Sequence, residues 1–214
     1  MAIELRPANP QDASAVARVC LLAGGGAFEF LYGGLRAQTD AESLLTGLCA
    51  LDNSPYSYRR FTMAECDGEV VGGINAVSMN DLKEADLTVL PALKNELGLR
   101  MFAILRYSFR RIRLGLRMQG QHPPTDSLIL ANVAVFPGHT GQGIGAKLVQ
   151  HVLDRAVADG YPSVCLVVWD TNDRARTLYE RKGFKRVDSA PFKPLGNLEH
   201  RARELMVAEV GETA

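Results

Sequence analysis

No apolar run in the sequence approaches the length needed to cross a membrane, and the opening residues, MAIELRPANP, lack the basic-then-apolar profile of a secretory signal. Net charge is missing as well. Lys+Arg and Asp+Glu each number 24, for a formal net charge of +0, so no global field draws the chain to nucleic acid or to a membrane. Cysteine is scarce: Cys20, Cys49, Cys66 and Cys165 lie scattered among apolar residues without CxxC spacing. That pattern reads as buried thiols rather than a disulfide framework or a metal site. Repeats, low-complexity tracts and a convincing linker are absent too. What is present is ordinary for a globular chain: 214 residues, 47% hydrophobic and 22% charged, enough to bury one sizeable core. The expectation is one cytoplasmic α/β domain over residues 1–214, with no metal.

Within it, IELRP at 3–7 reads as a strand. A helix follows with Ala13, Val16, Ala17, Cys20 and Leu21 on one face, capped by Asn9 or Asp12. The tract AGGGAFEFLYGG at 23–34 mixes five glycines with aromatics, and is expected to break that helix as a mobile segment. TDAESLLTGLCALD at 39–52 predicts a second helix, with Thr39 three residues before Glu42 as a capping box. Two strands then meet at Asp67-Gly68, a hairpin signal.

Residues 81–126 read as a helical insertion. Phe102, Leu105, Phe109, Ile112 and Leu116 recur at spacings of three and four, and Arg106, Arg110, Arg113 and Arg117 edge that stripe. From Lys94 to Arg117 seven Lys/Arg stand against one acid, Glu96. Two readings stay open. One is attraction of an acidic acceptor, nucleic acid or anionic lipid. The other is an amphipathic helix docked by its apolar stripe, with a solvated rim; a pocket wall or a subunit contact in a homodimer is compatible with it.

The continuous apolar run SLILANVAVF at 127–136 has the character of a buried central strand. Directly after it, FPGHTGQGIGAKLVQHVL places Gly141, Gly143 and Gly145 ahead of a helix whose Ile144, Leu148, Val152 and Ala156 repeat at i+4. The first N–H groups of a helix have no partner within it, and they sit at the positive end of its dipole. Glycines there leave room for an anion to reach them, which describes a phosphate cradle; a turn needed only for tight packing is the alternative. The spacing departs from a Walker loop, since Gly145 precedes Ala146-Lys147, and from the GxGxxG dinucleotide fingerprint. Further on, Asn172, Ala175 and Tyr179 of NDRARTLYERKGF fall on one helix face.

Taken together, NVAVFP, TGQGIGAKL and NxxAxxLYxxxGF resemble the GNAT superfamily of acyl-CoA-dependent N-acyltransferases, with specific matches from about 128 to 186. The resemblance implies a single-domain α/β (α+β) fold. Its central sheet would be mixed but mostly antiparallel, splayed at the central strands and flanked by helices. It also implies acetyl-CoA as cofactor. On that reading Val133, Ala134 and Val135 would hold the pantetheine arm. The backbone of Thr140, Gly141, Gln142, Gly143, Ile144, Gly145 and Ala146 would bind the pyrophosphate. Asn172 and Ala175 would meet the cofactor, and Tyr179 would protonate the departing thiolate, as a phenol with an ordinary pKa of about 10 can. A packed aromatic is the structural alternative for Tyr179, and a helix cap for Asn172.

Two positions depart from the family pattern. Thr140 stands where Arg or Gln is usual, with His139 beside it. Ala131 and Asn132 occupy the end of the strand where many members carry an acid. Asn132 cannot accept a proton, but it can orient an amine or a water; a structural hydrogen bond is the other reading. Asp126 and Asp170 are the nearby carboxylates, each expected to cap or to be solvated. The general base is unassigned. For the acceptor, Phe28, Phe30 and Tyr32 are candidate pocket walls with Glu29 drawing a cation, or else core packing. The expected activity is transfer of an acetyl group to a primary amine of a small molecule or peptide in a ternary complex, without nucleic acid as partner. An acyl-CoA-binding regulatory module with weak catalysis is the alternative.

Overall fold

The computed structural model describes residues 3–196 and 198–210, apart from the side chains of 83–86. Strand β1 (Ile3–Pro7) leads into helices α1 (Ala13–Gly24), α2 (Ala27–Tyr32) and α3 (Ala41–Cys49). The hairpin β2 (Phe61–Cys66) and β3 (Glu69–Val77) comes next, turning at Asp67 and Gly68, both with positive φ as its two-residue turn requires. After it lie α4 (Met79–Pro91), a π-helical turn over Ala92–Glu96, and α5 (Met101–Arg117). The chain then alternates: β4 (Leu128–Val135), α6 (Ile144–Ala158), β5 (Ser163–Trp169), α7 (Asp173–Arg181), β6 (Lys185–Pro191) and β7 (Ala202–Glu209).

The strands form one seven-stranded sheet in the order β1-β2-β3-β4-β5-β7-β6. Every neighbour pair is antiparallel except β4 with β5. α4 and α5 are therefore inserted between β3 and β4, two strands that pair side by side. On one face α6 buries Ile144, Leu148, Val149, Val152 and Ala156 against Val71, Ile74, Leu128 and Val164. Fully burying an aliphatic side chain of this kind contributes about 1.5–3 kcal/mol. The opposite face carries α1 and α3 through Val16, Cys20, Leu45 and Leu48, with Tyr32 and Tyr107 from α2 and α5.

Two features of β4 shape the interior of the sheet. Asn75 pairs with Asn132 but Ala76 pairs with Leu130, so Ala131 is an extra residue without an opposite number. Such a bulge reverses the in/out alternation. Before it Leu128 and Leu130 pack on the α6 face; beyond it that face receives Val133 and Val135, while Ala134 and Phe136 turn to the α1 side. β4 also pairs with β5 at only two positions, Leu128–Val164 and Ile129–Cys165, and past these the strands part.

Several local expectations change. Asn9 caps a short 3-10 turn rather than α1, and Asp12, though at the N-cap position of α1, makes no side-chain cap. Its buried carboxylate instead takes two bonds from the Arg6 guanidinium, the stronger use of a charge in a half-apolar site. The glycine-rich tract does break α1, which ends at Gly24 with Gly25 and Gly26 both at positive φ, but residues 27–32 then form α2, because Leu31 and Tyr32 are buried in the core. α3 is capped by Asp40, which accepts from the Ser43 N–H at 2.8 Å, and not by Thr39, since the helix starts one residue later than the capping box required. All four cysteines are buried free thiols.

Candidate active site

Where β4 and β5 diverge, the sheet opens into a cavity of about 750 Å³. Val133, Ala134 and Val135 form one wall. The loop residues Thr140, Gly141 and Gly143 and the first turn of α6, Ile144 to Ala146, form the next. Asn172, Ala175 and Tyr179 line the α7 side, and Leu22, Ala23 and Trp169 lie at the rim. Twelve of the thirteen positions that the motifs assigned to the cofactor thus converge on one space. Gln142 is the thirteenth: it is exposed, and its side-chain amide donates to the Gly138 carbonyl at 3.4 Å.

The cradle has a local cause. Gly143 is the N-cap of α6 at φ 80°, in the left-handed region that strains any residue with a Cβ, and it supplies no side-chain cap. The N–H groups of the first turn therefore face the cavity unclaimed by the helix. Gly145 serves packing instead. A Cβ there would stand 3.3 Å from Leu178 of α7, so its absence lets α7 close against α6.

Asn172 caps α7 by accepting from the Ala175 N–H at 3.1 Å, and it also lines the cavity, so the two readings hold together. Tyr179 is only 6% exposed, with its ring 5.7 Å from Phe184. Its hydroxyl has no hydrogen-bond partner among the described residues. Burial raises its pKa above the ordinary phenol value, since the cavity wall disfavours a phenolate.

Asn132 lies off the cavity wall, on the α1 side of the sheet opposite Asn75. Both are buried, and the Asn75 Oδ1 has no partner among the described residues. The four acceptor-pocket candidates lie elsewhere. Tyr32 stacks on Tyr107 at 5.5 Å in the core, Phe28 meets Tyr56 edge-on at 5.4 Å, Phe30 lies 5.8 Å under the Arg110 guanidinium, and Glu29 is exposed. Of the described residues in the glycine-rich tract, only Ala23 reaches the cavity.

Two lining cations fall outside the motif: Arg174 and Arg181. Nothing in the motif singled them out: at about 100° per residue this i, i+7 pair lies across the helix from Asn172 and Tyr179. The described lining contains no carboxylate. Asp170 is occupied by the Arg201 N–H at 3.1 Å, and buried Glu204 is held between Arg176 and Arg186. His200 stacks on Trp169 at 4.2 Å, but its Nε2 must donate to the Gly25 carbonyl at 2.8 Å, which leaves Nδ1 to accept from Thr171. Both ring nitrogens are thereby committed. His139 is the imidazole of the described lining.

A family model, Acetyltransferase (GNAT) family, matches residues 35–184. The chain belongs to that family. It is 35% identical over 80 residues to N-alpha-acetyltransferase 40 of Saccharomyces cerevisiae, covering 34% of this chain and 28% of that protein. It is 37% identical over 59 residues to the [Ribosomal protein bS18]-alanine N-acetyltransferase of Escherichia coli, covering 28% of this chain and 40% of that one. The chain thus spans well under half the length of these curated relatives. Among solved folds, a crystal structure of an acetyltransferase superposes with a TM-score of 0.70 at 24% identity, covering 97% of this chain and 99% of the other. A Salmonella typhimurium protein solved with its cofactor acetyl-CoA superposes at 0.56 and 16% identity, covering 100% and 97%.

Proposed function

We propose that this protein transfers the acetyl group of acetyl-CoA to a primary amine by direct attack in a ternary complex. The observation that carries the reading is Tyr179, a buried phenol without a hydrogen-bond partner among the described residues. It lines a cavity whose other wall is the N-terminus of α6, entered through Gly141 and Gly143. The cavity residues suit the cofactor's phosphates in backbone openness and in charge. A Cβ at Gly143 would strain the cradle, and Arg174 and Arg181 bring positive charge where Thr140 lacks it. Acetyl-CoA bound there supplies an activated carbonyl carbon and a thiolate leaving group.

The chain's own residues do the rest. First-turn amides of α6, with Arg174 and Arg181, hold the phosphates. The β4 backbone at Val133 and Val135 faces the gap left by β5 and fixes the arm that carries the thioester, so that positioning supplies much of the acceleration. As the neutral amine bonds to the carbonyl carbon and the C–S bond breaks, Tyr179 donates its phenolic proton to the departing sulfur. The proton shed by the nitrogen passes to water, from which the phenol is restored. Because burial raises its pKa, Tyr179 stays protonated throughout the neutral range. Asn132 and Asn75, buried beside the bulge and outside the described cavity lining, are assigned no step. No cysteine stands in the described cavity lining, so no covalent acyl-enzyme is invoked.

The acceptor is read as a peptide or small-molecule amine. Peptide amines come first, because one curated relative is named an N-alpha-acetyltransferase and the other an alanine N-acetyltransferase of a ribosomal protein. A cytoplasmic location accords with that class of substrate. A second reading, a regulatory acyl-CoA sensor, rests on the absence of a carboxylate from the described lining. Thiol release from acetyl-CoA, measured against a panel of N-terminal peptides, polyamines and small amines, tests both. Turnover with any amine supports the transferase. Saturable binding of coenzyme A without turnover on any of them supports the sensor.

A further inference from the structure

The apolar stripe of α5 does not dock onto the body. Ala103, Tyr107 and Leu114 are the buried residues of this helix, whereas Phe102 is 77% exposed and Leu105, Phe109, Ile112 and Leu116 are each 60–62% exposed. At about 100° per residue the exposed row lies roughly opposite the buried one, so it forms a ridge pointing straight away from the protein. Met101, at 62% exposure, lengthens it. The ridge presents on the order of 600 Å² of apolar surface, the upper end of what a typical monomer shows in one patch. Leaving that much surface in water is a standing cost, which an occupant would remove.

Charge decides between occupants. Residues 97–125 contain six arginines and no Asp or Glu, in a chain whose net charge is +0. Three of these arginines are fixed along the helix by the protein's own carbonyls: Arg106 to Gly34, Arg110 to Leu31 and Gly33, and Arg117 to Lys193. Arg113 lies over the Phe109 ring at 5.6 Å, on the ridge itself. A second copy docking ridge to ridge would bring two such helices together with no acid on either to offset the arginines. A convex apolar ridge on a helix that carries arginines and no acid matches a flat anionic surface with an apolar layer beneath it. We infer that α5 is a membrane-docking helix, lying in the interface of a bilayer that contains anionic lipid. No helix is long and apolar enough to span a membrane among the described residues, so the contact is peripheral. This inference stands apart from the transferase reading, since none of the ridge residues lines the cavity.

Co-sedimentation of the full chain with phosphatidylcholine vesicles, with and without phosphatidylserine, tests it. The expected result is binding at least about tenfold tighter to the anionic vesicles and falling with added salt. Arg113→Gln should weaken it about fivefold, the usual value of one cation at such a surface. Phe102→Ser with Phe109→Ser should abolish it while thermal stability and coenzyme A binding stay unchanged, because both side chains are exposed and neither lines the cavity. Absent binding, equal binding to neutral and anionic vesicles, or an unaffected double variant would each overturn the inference. So would a concentration-dependent dimer in sedimentation velocity that the double variant dissolves, which would give the ridge to a second copy.

Discussion

The Arg174 guanidinium reaches over the glycine loop from α7, its Nη2 lying 3.9 Å from the position a Cβ on Gly141 would take. On the proposed reading this cation meets a phosphate held by the loop amides and compensates for the uncharged Thr140. Arg174→Ala should therefore weaken coenzyme A roughly tenfold to a hundredfold, the usual weight of a charge-assisted contact, with little change in thermal stability. Calorimetric titration measures it; an unchanged affinity would remove Arg174 from the site.

Tyr179→Phe keeps the ring and its contact with Phe184 but removes the proton. Turnover should fall on the order of a hundredfold, the lower part of the range for general acid catalysis, while coenzyme A affinity holds. The wild-type pH profile carries a second signature. Because the folded-state pKa of Tyr179 is raised, the acid form persists through the pH at which a free tyrosine ionises, so turnover should not decline near pH ~10 from loss of this proton. A decline centred there, absent from the phenylalanine variant, would contradict the assignment.

Gly143 sits at φ 80° with nothing within 4 Å of an added Cβ, so a substitution there acts through backbone strain alone. Gly143→Ala should lower stability by about 1 kcal/mol. By shifting the first-turn amides it should also cost affinity for coenzyme A. Gly68, also at positive φ with nothing within 4 Å of an added Cβ, serves as the control in the β2–β3 turn: Gly68→Ala should show the stability loss and leave binding intact. Equal effects of the two on binding would argue against the cradle.

Asn75 and Asn132 are cross-strand neighbours beside the bulge, and the Asn75 Oδ1 is buried without a partner among the described residues. Stranding a polar atom in this way costs about 1–3 kcal/mol, so Asn75→Leu should be neutral or mildly stabilising in a thermal melt. If the pair orients the acceptor, the same variant should raise KM for the amine severalfold and leave KM for acetyl-CoA in place. A stability loss with no kinetic effect would make the pair purely structural.

Acid should loosen the β1–α1 corner. Arg6 bonds Asp12 at 2.7 Å and Glu65 at 2.6 Å, and the Arg6 fork holds the Asp12 carboxyl below its ordinary range. A carboxyl with a lowered folded-state pKa contributes stability that is present above its unfolded value, near ~3.9, and lost as pH falls toward the folded one. Asp12→Asn should cost about 2 kcal/mol at neutral pH, and the gap to wild type should narrow in melts taken below pH ~4. A constant gap would assign the loss to packing.

The motifs from Val133 to Tyr179 were legible because each is local. A glycine at a helix mouth, an i, i+3, i+7 helix row and an apolar strand are set within a few residues by backbone geometry, and they converge once the strand and the two helices pack. Arg174 and Arg181 were harder to find. Arginines on a polar helix face carry no signal until the loop opposite them is in place. The aromatics of 28–32 misled for a related reason. Tyr32 is as well suited to a pocket as to a core, and its distant partners Tyr56 and Tyr107 decide for the core.

The sequence by itself determined the class through the resemblance of NVAVFP, TGQGIGAKL and NxxAxxLYxxxGF to the family; spacing and periodicity alone left the glycine turn open between an anion cradle and tight packing. The tertiary structure alone decided which residue of β4 is squeezed out, because a bulge exists only relative to the partner strand. It also decided which face of α5 is buried. Both faces are apolar enough to pack, so hydrophobic pattern could not choose between them. The choice fell to Ala103, Tyr107 and Leu114, which face the body, while Phe102 and Phe109 were left facing out.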